Sequence, residues 1–89
     1  MDDTPRIEDQ IKSMIVERLF LPIQPEEIGD EDPLTEKLDI DSVQLFEIVV
    51  GTEQTFGITL EDTEFDAELF RDVKSIAAVV RQKLQEASE

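Results

Sequence analysis

Apolar residues recur at helical spacing in three long stretches of the chain. Ile7, Ile11, Met14, Ile15 and Leu19 step by three and four, the stripe of an amphipathic helix over 5–20. Thr4 is placed to cap it, Pro5 occupies its first turn, and Pro22 and Pro25 stop it near Phe20. Glu8 and Lys12 stand at the i, i+4 spacing of a favourable pair. A second helix is predicted from Asp41-Ser42 to Phe56, ended by Gly57. It has two apolar stripes: Leu45, Ile48, Val49 and Thr52 on one, Val43, Phe46 and Val50 on the other. A helix so apolar is buried widely or lines something. Gly51 in its interior costs roughly 1 kcal/mol against Ala and predicts a close approach by another element. The third long helix spans 73–86, capped by Asp72, with Val73, Ile76, Ala77, Val80 and Leu84 toward the core.

Between these lie less regular segments. The connection 21–41 holds three prolines, one glycine and many acids, and connections beyond ~12–15 residues tend to be functional. Ile23, Ile28, Leu34 and Leu38 predict that it packs on the bundle, with short helical turns at 25–28 and 34–38. Ile58-Thr59-Leu60 is extended but too short and isolated for a strand. A short helix is predicted over 63–70, turning Phe65, Leu69 and Phe70 inward. The expected architecture is all-α: a four-helix bundle with three long helices, one short helix and a long loop between the first two. It forms one domain over 1–89, core about 5–86, with frayed termini.

Composition narrows the chemistry. The chain has no Cys and no His, which removes thiolate sites, the commonest general base and the commonest metal ligand. Eight Lys and Arg stand against 23 Asp and Glu, a formal charge of −15. Nucleic acid and anionic membranes reward positive charge and are not expected partners. The segment from Leu38 to Phe70 carries nine acids and no base, which suits a docking face for basic partners. No apolar run approaches the ~20 residues of a membrane span, and the first residues lack the pattern of a signal peptide. A cytoplasmic monomer is expected. Asp30, Glu31, Asp32, Asp39 and Asp41 cluster, but an EF-hand started at Asp39 puts Val43 and Gln44 where a ligand and the central Gly belong. No metal site is expected.

One constellation points further. Leu34-Thr35-Glu36-Lys37-Leu38 precedes Asp41-Ser42-Val43, which leads into Leu45, Phe46, Glu47, Ile48, Val49 and Glu53. Phe56-Gly57-Ile58 and then Phe70-Arg71-Asp72-Val73-Lys74-Ser75-Ile76-Ala77 follow. In order, spacing, size and charge, residues from Ile7 to Leu84 resemble the acyl carrier protein family and its relatives in polyketide and peptide synthases. A bare Asp-Ser would signify only a helix cap. By the resemblance, Ser42 is the attachment residue for 4′-phosphopantetheine taken from coenzyme A, and Asp41 belongs to the motif read by the phosphopantetheinyl transferase. The arm supplies the thiol that the sequence lacks, so the chain carries acyl groups and is not itself an enzyme. Asp39, Val43, Glu47 and Glu53 would face basic patches of acyl ligases, synthases or acyltransferases. Phe46 and Val50 would line an acyl pocket.

Val43 departs from the family's usual Leu, and Asp39 stands where Gly is common, a place that Asp tolerates better than most residues. The stretch between Ile58 and Val73 is slightly long. These features lean toward a specialised carrier rather than the housekeeping one of fatty acid synthesis; the resemblance implies acyl intermediates of fatty acid, lipid or polyketide-type synthesis as the load. An aminoacyl or peptidyl carrier and an unmodified acidic docking module are the alternatives. Charge this dense predicts self-repulsion in the fold. The melting temperature should therefore rise with added NaCl or Mg²⁺, and a melt indifferent to both would remove repulsion as a factor.

Overall fold

The computed structural model describes residues 6–60 and 68–87. They form α1 (Ile7–Arg18), a 3-10 turn (Pro25–Glu27), α2 (Leu34–Lys37), α3 (Ser42–Phe56) and α4 (Val73–Ala87), with no strand among the described residues. α1 is the hub, packing against α3, α4 and the 3-10 turn. Ile11 and Ile15 of α1, Ile48 of α3, and Val73, Ile76 and Val80 of α4 are fully buried in one core. Each such side chain contributes about 1.5–3 kcal/mol on leaving water. The expected stripes of α1 and of the inner face of α3 are these core faces. Thr52 is buried as well, its hydroxyl donating to the carbonyl of Ile48 at 2.7 Å.

Several expectations need correction. Thr4 and Pro5 lie outside the described residues, and α1 begins at Ile7 after an extended Arg6. Glu8 and Lys12 do not pair with one another. Arg81 donates to Glu8 at 2.9 Å, tying α4 to α1, while Lys12 reaches Asp30. Long-range partners displace the local one because both side chains lie on α1 beside other elements. Most of the short helix expected over 63–70, with Phe65, falls outside the described residues. Glu68 to Phe70 form a turn in which Phe70 is buried but Leu69 remains 36% exposed. The short helix that is seen is α2. On α4, Leu84 is 37% exposed and Val79 is buried in addition to the expected residues. Leu84 lies in the last turns, past the part of the helix that the core covers.

The two long helices α1 and α3 run antiparallel. Arg18 meets Glu47, while Gln10 and Ser13 share a cleft with Thr55. Gly51 sits at their closest approach, as its presence predicts. A Cβ there would come within 2.7 Å of both Arg18 Cδ and Met14 Sδ.

Both helices end at a left-handed residue whose successor's N–H reaches back five residues to a helix carbonyl. At α3 the residue is Gly57, φ 64°, and Ile58 N–H donates to Glu53 carbonyl at 3.1 Å. At α1 it is Phe20, φ 54°, with Leu21 N–H donating to Val16 carbonyl at 3.0 Å and Phe20 N–H to Glu17 carbonyl at 3.4 Å. Glycine adopts this backbone freely, whereas a residue with a Cβ is strained there by about 1–2 kcal/mol.

The connection between α1 and α3 is pinned as expected. Ile28 and Leu34 are fully buried, and Ile23 and Leu38 pack on the core. Asp30 accepts the Lys12 ammonium at 2.7 Å and lies 3.6 Å from Arg6, while its carbonyl accepts the N–H of Lys74 at 2.8 Å. Leu34 N–H donates to Arg71 carbonyl at 2.8 Å. The hydrogen bond from Lys12 holds the Asp30 carboxyl below the usual carboxylate range. A carboxyl depressed in the folded state stabilises above its ordinary pKa, near 4, and that contribution is lost as pH falls through the folded value. Asp30→Asn should therefore cost about 1 kcal/mol at pH 7, a charged hydrogen bond discounted for partial exposure. Urea unfolding should show the gap from wild type narrowing progressively as pH falls below about 4; a gap that stays constant across that fall would dismiss the ion pair.

Candidate functional site at the start of α3

The approach to α3 is built residue by residue. α2 ends at Lys37, and the chain reverses through Asp39, which adopts φ 52°, the left-handed backbone that its place in the sequence suggested. Ile40 is then buried, with its N–H donating to Thr35 carbonyl at 3.2 Å. Asp41 is extended and caps α3: its carboxylate accepts Gln44 N–H at 2.9 Å, and Gln44 Oε1 accepts Asp41 N–H at 3.2 Å. This reciprocal box satisfies two backbone donors at a helix end that otherwise leaves them without partners.

Ser42 is consequently the first helical residue. It is exposed, and its hydroxyl makes no hydrogen bond among the described residues. The cap and the exposed hydroxyl thus fall on adjacent residues, so capping leaves the hydroxyl unengaged. The first turn of α3 contains no acid, and the positive end of the helix dipole faces outward beside Ser42. A phosphodiester on this oxygen would lie against free first-turn N–H groups, an arrangement suited to an anion. The residues present therefore fit a covalently attached phosphopantetheine.

The second apolar stripe of α3 is turned outward. At about 100° per residue, Val43, Phe46 and Val50 lie opposite Ile48 and Thr52. Val43 is 70% exposed, Phe46 52% exposed and Val50 half-buried. Phe46 and Val50, expected to line an acyl pocket, thus lie on an outer face, because the opposite face fills the core. A cleft of about 530 Å³ lies toward the other end of α3, lined by residues that include Met14, Arg18 and Thr55, with neither Phe46 nor Val50.

The acidic residues divide. Asp39 and Glu47 are exposed near Ser42, although Glu47 Oε2 also receives Arg18 Nε at 3.1 Å. Arg18 Nη1 reaches Gln54 Oε1, also at 3.1 Å, so one guanidinium bridges two turns of α3 across Gly51. Glu53 is not available in the same way: it is half-buried and accepts Leu60 N–H at 2.8 Å, holding the segment after α3. Sequence reasoning missed Gln44, Arg18 and Phe20. The Asp-x-x-Gln spacing of a capping box was a usable signal for Gln44. Nothing local marks Arg18, whose partners lie on another helix. Among the described residues no group of acids could hold a metal ion, and no helix is long and apolar enough to cross a membrane.

Comparison with known proteins agrees with this geometry. Residues 9–80 match the family described as the phosphopantetheine attachment site. The chain is 30% identical over 77 residues to an acyl carrier protein of Chlamydia muridarum, covering 86% of this chain and 95% of that protein. It is 38% identical over 56 residues to an acyl carrier protein of Wolinella succinogenes, covering 63% of this chain and 71% of that one. The chain belongs to the acyl carrier protein family, whose members carry covalent 4′-phosphopantetheine and serve a phosphopantetheinyl transferase and partner enzymes.

Removing the cap should be felt twice. Asp41→Ala is expected to destabilise the chain by about 1 kcal/mol in urea unfolding. It should also slow modification of Ser42 in a transferase assay, because the first turn frays. Unchanged stability would show that Gln44 and Ile40 suffice to start α3.

Proposed function

We propose that Ser42 bears 4′-phosphopantetheine and that the chain carries acyl intermediates between cytoplasmic enzymes of fatty acid, lipid or polyketide-type synthesis. The observation that carries this reading is the exposed Ser42 hydroxyl on the first turn of a helix capped by its neighbour Asp41. When bound, the arm supplies a thiol on which acyl groups ride as thioesters. The chain's own residues hold the attachment point. Asp41 and Gln44 fix the helix start, Asp39 sets the turn into it, and buried Ile40 keeps that turn against the core. Asp39, Val43 and Glu47 offer partners a surface that is acidic at its edges and apolar at its centre. Val43, exposed next to Ser42, supports a specialised carrier, since a partner closing over Ser42 meets this smaller side chain first.

Incubation with coenzyme A and a broad-specificity phosphopantetheinyl transferase, followed by intact mass, tests the assignment. A single added phosphopantetheine on wild type and none on Ser42→Ala is expected. A folded, initially unmodified wild type that gains nothing would transfer the reading to an unmodified docking module.

A further inference from the structure

Phe20 combines three features that oppose stability. Its ring is 90% exposed, its backbone is left-handed, and it holds a helix-ending position that the same chain fills with Gly57 at the end of α3. Its neighbours Leu19 and Leu21 pack on the core, so the ring is not needed to anchor this turn. A bulky side chain held at positive φ in full solvent has no structural reward, and an outlier of that kind points to function.

Its location indicates what it serves. Arg18, two residues before Phe20, reaches Glu47 at 3.1 Å, and α1 runs antiparallel to α3. The chain beyond Arg18 therefore heads toward the Ser42 end of the bundle, about one helix spacing, ~8–10 Å, to the side of α3. An enzyme that modifies Ser42 must cover its surroundings. A standard footprint of ~800 Å² per partner, spread as a disc, reaches ~16 Å from its centre, more than the one helix spacing that separates α1 from α3. Val43 and Phe46 are exposed on α3, Glu47 next to Phe46 in sequence is paired to Arg18 of α1, and the chain as a whole carries −15. The complementary surface is an apolar pocket rimmed with Lys and Arg, and buried aromatics are the usual anchors of such contacts.

We propose that Phe20 is a second docking anchor, seated in an apolar, basic-rimmed pocket of the phosphopantetheinyl transferase that acts on Ser42. This rests on the carrier reading above, and the experiment separates the two. The probe is a broad-specificity phosphopantetheinyl transferase with coenzyme A, titrated calorimetrically against the Ser42→Ala chain, which binds without being modified. Adding Phe20→Gly should weaken binding about tenfold, the effect of losing one buried aromatic anchor. The deficit should persist at high salt, since an apolar contact is not screened. The Phe20→Gly chain should melt at the same or a higher temperature, because Gly relieves the left-handed backbone. Equal affinity with and without Phe20, no binding by the Ser42→Ala chain, or a lowered melting temperature in Phe20→Gly would each overturn the anchor. A wild type that takes no arm in the mass assay would sink the carrier reading and this anchor with it, whereas a wild type that takes the arm but binds equally with and without Phe20 would sink the anchor alone.

Discussion

The presentation of Ser42 depends on the pinning of the connection that precedes it. A chain of this length crossing from α1 to α3 has many ways to lie, and fixing each backbone residue costs about 1–2 kcal/mol of entropy. Asp30 closes off those alternatives by binding in two directions at once. Its side chain takes Lys12 of α1 and its carbonyl takes the amide of Lys74 in the first turn of α4. Ser75 N–H goes to Asp72, so the start of α4 is satisfied jointly by its own cap and by the connection. With Ile28 and Leu34 buried beside this junction, α2 and the turn at Asp39 inherit a fixed origin, and α3 starts where they leave it.

The acidity of the chain is distributed with a division of labour. Many of the described carboxylates are engaged within the chain, among them Asp30 by Lys12, Glu8 by Arg81, Glu47 by Arg18, Glu53 by a backbone amide, and Asp41 and Asp72 by helix ends. Those interactions put negative charge where a cation or an unpaired N–H awaits it, so they stabilise despite the large net charge. The acids that remain outward, such as Asp39, have no such employment in the fold and set the field that an approaching protein meets.

Much of this was legible before the fold was seen. The long helices followed from apolar spacing, the packed connection from Ile28 and Leu34, and the helix-helix contact from Gly51. The caps at Asp41 and Asp72 are short-range chemistry, which sequence carries well. The failures share a cause. Pairing Glu8 with Lys12 used only local spacing, whereas their partners, Arg81 and Asp30, arrive through tertiary folding. Two apolar stripes on α3 left open which would face inward, since Val43 and Phe46 are no less apolar than Ile48. Glu53 looked like its exposed neighbours until the turn at Gly57 brought Leu60 back to it. Phe20 was read as the place where α1 stops, with no sign in the letters that its ring would stand in solvent.

The capping box at the start of α3 closes between Asp41 and Gln44 without any contribution from the Ser42 side chain. Whatever is bonded to that oxygen, the helix neither gains nor forfeits an internal partner, and the core on the opposite face is untouched. On the carrier reading proposed above, a load on Ser42 would leave the capping box that starts the helix as it is, and the handle offered to the next enzyme would keep its shape at that end.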